Sequence, residues 1–101
     1  MSKPLILLTN DDGYHAPGIR ALAEAFESVA TIAVVAPKHE QSGCGRKITL
    51  RQPLRAIPRG TLRWEVDGTP TDCSYLGIFE LLESRPDLVI SGINRGPNLA
   101  E

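Results

Sequence analysis

Two adjacent carboxylates are the first residues in this chain that could do chemistry. Asp11 and Asp12 follow the apolar run Leu5-Ile6-Leu7-Leu8 and sit inside Asn10-Asp11-Asp12-Gly13. Neighbouring carboxylates repel each other unless a cation neutralises them, and a hard divalent ion with oxygen ligands does so. Turn chemistry alone also accounts for each of these four letters, so the acidic pair needs company before it marks a site. Two other polar stretches supply it. Gln41, Ser42, Gly43, Cys44 and Gly45 follow the apolar residues 31–36, and Gly92, Asn94, Arg95, Gly96 and Asn98 follow Leu88-Val89-Ile90. Ser42 and Asn94 add neutral oxygens to Asp11 and Asp12. An all-oxygen set points to magnesium or manganese rather than zinc. Asn10, Gly13, Gly43, Gly92, Arg95, Gly96 and Asn98 are the candidates for holding a phosphate, because N–H groups beside glycines form anion nests.

The remaining reactive residues read more plainly. His15 and His39 flank the acidic and serine loops, and a lone loop histidine is usually just solvated; of the two, His39 is the better candidate, since it precedes the Ser42 loop. Cys44 has no assigned base to make it a nucleophile. Asp72 serves a helix start. Neither a Walker A loop nor a dinucleotide fingerprint is present. An Asp-x-Asp phosphoenzyme turn fails as well, because the residues at positions 10 and 13 are Asn and Gly.

These loops can meet only if the elements between them form a parallel sheet, since ligands bind beyond the carboxyl ends of such strands. Residues 5–8 and 31–36 are short uninterrupted apolar runs, as expected of strands buried on both faces. Between them Ile19, Leu22, Ala23, Phe26 and Ala30 recur at near-helical spacing after Pro17-Gly18. Strand, helix and strand within 36 residues read as a right-handed crossover unit. Two β-prone segments, 48–57 and 61–67, flank Pro58-Arg59-Gly60 and predict an antiparallel ribbon; Pro53 marks the first as an edge or an interruption. Thr69, Pro70 and Asp72 predict a helix start. Tyr75, Ile78, Phe79 and Leu82 supply its expected apolar stripe, Pro86 ends it, and residues 87–90 predict a third buried strand. The expected fold class is α/β: a Rossmann-like parallel sheet with flanking helices and an inserted antiparallel ribbon. Three parallel strands are few for such a sheet, so residues 1–101 are expected to be the N-terminal part of a larger domain.

Composition fits a folded, soluble chain. Of 101 residues 42% are apolar and 23% charged, and the net charge of -1 provides no basic field for a nucleic acid polymer. No apolar run is long enough for a membrane span. Met-Ser-Lys-Pro does not open a secretory signal, and two cysteines make no disulfide framework. A cytoplasmic setting with reduced thiols is expected.

Four segments, in order, resemble the SurE family of nucleotidases, also called survival protein E. They are Leu-Thr-Asn-Asp-Asp-Gly-Tyr (8–14) with Pro17-Gly18-Ile19, Val-Val-Ala-Pro (34–37) with Glu40-Gln41-Ser42-Gly43, Gly-Thr-Pro-Thr-Asp-Cys (68–73), and residues 86–98. The resemblance implies one divalent metal ion per subunit, magnesium or manganese, on Asp11, Asp12, Ser42 and Asn94, with Asp11 and Asp12 also catalytic. It implies hydrolysis of nucleoside 5′- and 3′-monophosphates in a dimer or larger homo-oligomer. Family chains run well over twice this length, and Ala100 stands where the motif tail is expected to have glycine. A non-catalytic nucleotide- or metal-binding module is the rival expectation.

Overall fold

The computed structural model describes residues 3–38 and 55–92. Strand β1 (Leu5–Thr9), helix α1 (Pro17–Phe26) and strand β2 (Thr31–Pro37) come first. Strands β3 (Ala56–Gly60) and β4 (Arg63–Val66), helix α2 (Pro70–Leu76) and strand β5 (Leu88–Ser91) follow. They build one five-stranded sheet in the order β3-β4-β2-β1-β5. β1 pairs in parallel with β2 and with β5, and β2 pairs in parallel with β4. Among the described strands β3 alone runs antiparallel, against β4.

The alternation of strand side chains splits the core in two. Ile6 and Leu8 of β1 and Ile32, Val34 and Ala36 of β2 pack with Ile19 and Ala23 of α1 on one face. Leu7, Ala33 and Val35 pack with Val66 and Cys73 on the other. Leu7, Leu8, Ala33 and Val35 are wholly buried, as expected of central parallel strands. α1 begins at Pro17, whose missing N–H is no loss at a first helical position. Ala30 is buried but lies past the helix end, where its N–H still donates to the carbonyl of Phe26.

The ribbon differs from expectation in register and in role. Its turn lies at residues 61–62, not at Pro58-Arg59-Gly60, which belong to β3. Leu62 takes a left-handed conformation (φ 56°) there. That backbone is costly for a branched residue, and partial burial of Leu62 against the α2-side core compensates. β4 also belongs to the main sheet, and Arg63 anchors it to β2 by donating from Nη1 to the carbonyl of Ile32 (2.7 Å). The hairpin therefore extends the parallel sheet and does not stand apart from it. The segment around Pro53 lies outside the described residues.

The second helix also departs from its expected face. α2 passes directly into a π-helical turn, Gly77–Leu81. Cys73, Leu76, Gly77, Ile78, Leu81 and Leu82 face the core. Tyr75 (53%) and Phe79 (58%) are exposed. Of the expected stripe Ile78 and Leu82 face the core as read, while Leu76 and Leu81 stand in place of Tyr75 and Phe79. The two exposed rings lie 5.1 Å apart, with the Arg85 guanidinium 5.9 Å from the Phe79 ring centre.

Among the described residues β5 lies at one end of the strand order, and Leu88 (51%) and Val89 (39%) are exposed where a fully buried strand was expected. Ile90 packs on the α1 side, and Asp87 anchors the strand to β1 through two 2.8 Å hydrogen bonds with Leu5. Among the described residues no helix is long and apolar enough to cross a membrane.

Two substitutions test this packing. Thr69 and Asp72 form a complete capping box, with Thr69 Oγ1 accepting from the Asp72 N–H and Asp72 Oδ2 accepting from the Thr69 N–H. Thr69→Ala is expected to destabilise the fold by about 1 kcal/mol in chemical denaturation. A Cβ at Gly77 would stand 2.7 Å from a methyl of fully buried Leu7 and 3.4 Å from Val35. Gly77→Ala is expected to cost about 1–3 kcal/mol by overpacking, read from the shift in denaturation midpoint.

Candidate active site at the carboxyl edge of the sheet

β1 delivers Asn10, Asp11, Asp12 and Gly13 to the carboxyl edge, and β5 delivers Gly92 beside them. Asn10 is only 1% exposed. Its side chain donates from Nδ2 to the carbonyl of Gly13 (3.0 Å) and accepts at Oδ1 from the Gly13 N–H (3.1 Å). The loop is thereby closed on itself, and Gly13 turns it with a φ of 110°, a region that favours glycine. Asp11 and Asp12 lie half-buried on this closed turn.

Gly92 lies against the same turn. Its N–H donates to the carbonyl of Thr9. A Cβ there would stand 3.1 Å from that carbonyl oxygen and 3.5 Å from Cβ of Asn10. The absence of a side chain allows the ends of β1 and β5 to meet this closely.

These contacts give three of the residues expected to hold a phosphate a structural part in the edge. The Asn10 amide and the N–H groups of Gly13 and Gly92 are all engaged within the protein. They shape the edge, and the Asn10 amide, which carries two N–H bonds, directs one of them to Gly13. Ser42, Gly43, Asn94, Arg95, Gly96 and Asn98 lie outside the described residues, as do His39 and Cys44.

The donor set suits a hard cation. Among the described residues no three of His, Cys, Asp and Glu gather as metal ligands. Asp11 and Asp12 provide two carboxylates on a rigid turn, and such a pair needs neutral oxygens to complete a shell of six. Ser and Asn side chains have that chemistry.

A second charged group on this edge went unread in the sequence. Glu65 of β4 is only 3% exposed. Its Oε1 accepts from Nε and Nη2 of Arg59, each at 2.6 Å, and its Oε2 lies 3.3 Å from Nε2 of His15. A buried carboxylate is tolerable only with such partners. Between Trp64 and Val66 the residue reads as the solvent-facing member of an alternating strand, and only its buried position shows otherwise. His15, which reads as a solvated loop histidine, is this carboxylate's partner.

Below the edge, the Thr9 hydroxyl oxygen is wholly buried and has no hydrogen-bond partner among the described residues. The Cys73 thiol lies on the same side of the sheet. Burial pushes its pKa up to about 12; contact with Thr9 pulls the other way without forming a sound hydrogen bond, and Asp72 raises it a little further. Cys73 is therefore a protonated core thiol and not a nucleophile.

This is a mixed α/β sheet of Rossmann-like build with a polar site on its carboxyl edge, and the comparisons with known proteins agree. The family model for survival protein SurE matches residues 6–101, and the chain belongs to that family. A 5'-nucleotidase SurE of Citrifermentans bemidjiense is 56% identical over 96 residues, which cover 95% of this chain and 39% of the relative. The 5'-nucleotidase SurE of Geobacter sulfurreducens is also 56% identical, with 95% and 37% covered. The crystal structure of the SurE protein from Aquifex aeolicus matches with a TM-score of 0.86 and 51% identity, over 97% of this chain and 40% of that one. The chain thus spans about two fifths of the length of these relatives.

The Cys73 thiol gives a pH prediction. Its pKa is higher in the fold than in the unfolded chain, so the unfolded state releases the proton first as pH rises. The contribution is complete below about pH 9 and is lost progressively towards about pH 12. Denaturation curves at rising pH should show a steeper loss for the wild type than for Cys73→Ala.

Proposed function

We propose that the protein is a divalent-metal-dependent phosphatase that hydrolyses nucleoside 5′- and 3′-monophosphates to nucleoside and phosphate. The observation that carries this reading is the rigid acidic turn at the end of β1, where Asn10 and Gly13 lock Asp11 and Asp12 beside the end of β5. Membership of the SurE family and the nucleotidase names of the relatives support the same activity.

Asp11, Asp12, Ser42 and Asn94 would hold one magnesium or manganese ion. Such an ion supplies positive charge that neutralises the phosphate and polarises phosphorus towards attack by water. The protein's own work is positional. Asn10 holds the turn, so the carboxylates do not have to reorganise as charge develops on the phosphate. Gly92 lets the end of β5 lie against the acidic turn, and Gly43, Arg95, Gly96 and Asn98 are the proposed contacts to the remaining phosphate oxygens. In the reaction a water oxygen bonds to phosphorus while the bond from phosphorus to the nucleoside oxygen breaks. A carboxylate of the acidic pair takes the proton released by water, and that proton is passed on to the departing nucleoside oxygen, so the protein ends in its starting protonation state. Assembly as a homo-oligomer belongs to the same proposal.

The test is phosphate release from a panel of nucleoside monophosphates with manganese, magnesium or chelator. The expected outcome is metal-dependent release that drops at least about a hundredfold in Asp11→Asn/Asp12→Asn, the scale of losing one electrostatic contact in a transition state. Binding of nucleotide without release, in a folded chain loaded with metal, would favour a binding module instead.

A further inference from the structure

The loop that carries the acidic pair does not stop above β1. After Gly13 the Tyr14 N–H donates to the carbonyl of Pro37 at the end of β2 (2.7 Å), and the next residue, His15, reaches Glu65 on β4. The loop thus crosses the carboxyl edge from β1 to β4, two strands away in the sheet. Neighbouring strands are about 4.8 Å apart, so the crossing spans about 10 Å. That is comparable to an extended nucleoside monophosphate, with its phosphate at one end and its base at the other.

His15 is unusual among the residues on this edge. Its side chain is 67% exposed, yet two contacts hold the ring. Nε2 lies 3.3 Å from the Glu65 carboxylate, which is buried and fixed from behind by Arg59. The Tyr14 ring stands edge-on to it, with centres 5.1 Å apart and planes at 86°. An exposed ion pair contributes little to stability and seldom holds a side chain still. A buried carboxylate and a perpendicular aromatic ring do hold it, and 67% of the side chain stays open to solvent.

We infer that His15 is a stacking platform for the nucleobase of a bound nucleoside monophosphate, with Glu65 as its positioning residue. The inference rests on the phosphatase reading for the site of the phosphate. Glu65 is too buried to touch the ligand and acts through the His15 ring. Every base has a π face, so the platform favours ligands with a base over those without one and discriminates weakly among bases.

The test measures binding of adenosine 5′-monophosphate, ribose 5-phosphate and adenosine to the intact protein with magnesium present, by calorimetry. His15→Ala should weaken adenosine monophosphate and adenosine about tenfold, the scale of losing one stacked base, and leave ribose 5-phosphate unchanged. His15→Phe keeps a ring but loses the hold of Glu65, so it should recover part of the loss and no more. Equal weakening of all three ligands would show a structural role and overturn the inference. So would unchanged binding of adenosine monophosphate in His15→Ala, or a loss that Phe does not recover. Failure of the wild type to bind ribose 5-phosphate would count against the phosphate site alone, because binding of adenosine that depends on His15 would still support the platform.

Discussion

Burial of β1 on both faces is the constraint on which the rest of the structure depends. Its side chains alternate between two cores, with Ile6 and Leu8 under α1 and Leu7 under α2. Its backbone is paired on both edges, with β2 on one side and β5 on the other. A strand enclosed in this way has no alternative register, since a slip of one residue would move each side chain to the opposite core. Its end point is therefore well defined, and the acidic turn begins at that end point. A proposed catalytic pair so placed takes its position from apolar packing below as well as from the hydrogen bonds between Asn10 and Gly13.

The carboxyl edge extends that precision sideways. Asn10 closes the turn, Gly92 allows β5 to come close, and Tyr14 ties the loop to the end of β2. Glu65 then anchors the far end of the loop through His15. The desolvation of that carboxylate is costly, and Arg59 offsets it with two short charge-assisted bonds to one oxygen. Loop and hairpin are thus coupled: a shift of β3 and β4 would move the carboxylate that holds His15. The left-handed Leu62 in the hairpin turn belongs to the same coupling, because it sets where β4 starts and so where Glu65 lies.

The legible parts of the sequence were those governed by local rules. The apolar runs at 5–8 and 31–36, the helix after Pro17 and the cap at Thr69 all lie where sequence patterns place them. So does the acidic pair at a strand end. The misread parts depended on neighbours. Pro58 reads as part of a turn because proline cannot donate to a ladder, yet it is tolerated in β3, which among the described residues pairs on one side, with β4. Tyr75 and Phe79 read as core because they are large and apolar, but Leu76 and Leu81 join the expected Ile78 and Leu82 in facing the core. Leu88 and Val89 read as buried and are exposed, since burial of a strand at the end of the order depends on what lies beyond it.

The sequence by itself determined the class of fold, the family and the position of Asp11 and Asp12 at a strand end. These follow from periodicity, turn chemistry and four ordered motifs, all of which are short-range. Only the tertiary structure decided that Asn10, Gly13 and Gly92 have their donors engaged in building the edge, that Glu65 is buried, and that His15 is held by it. The physical reason is range. His15 and Glu65 are fifty residues apart in the chain, and no local pattern records which strand will lie beneath which loop.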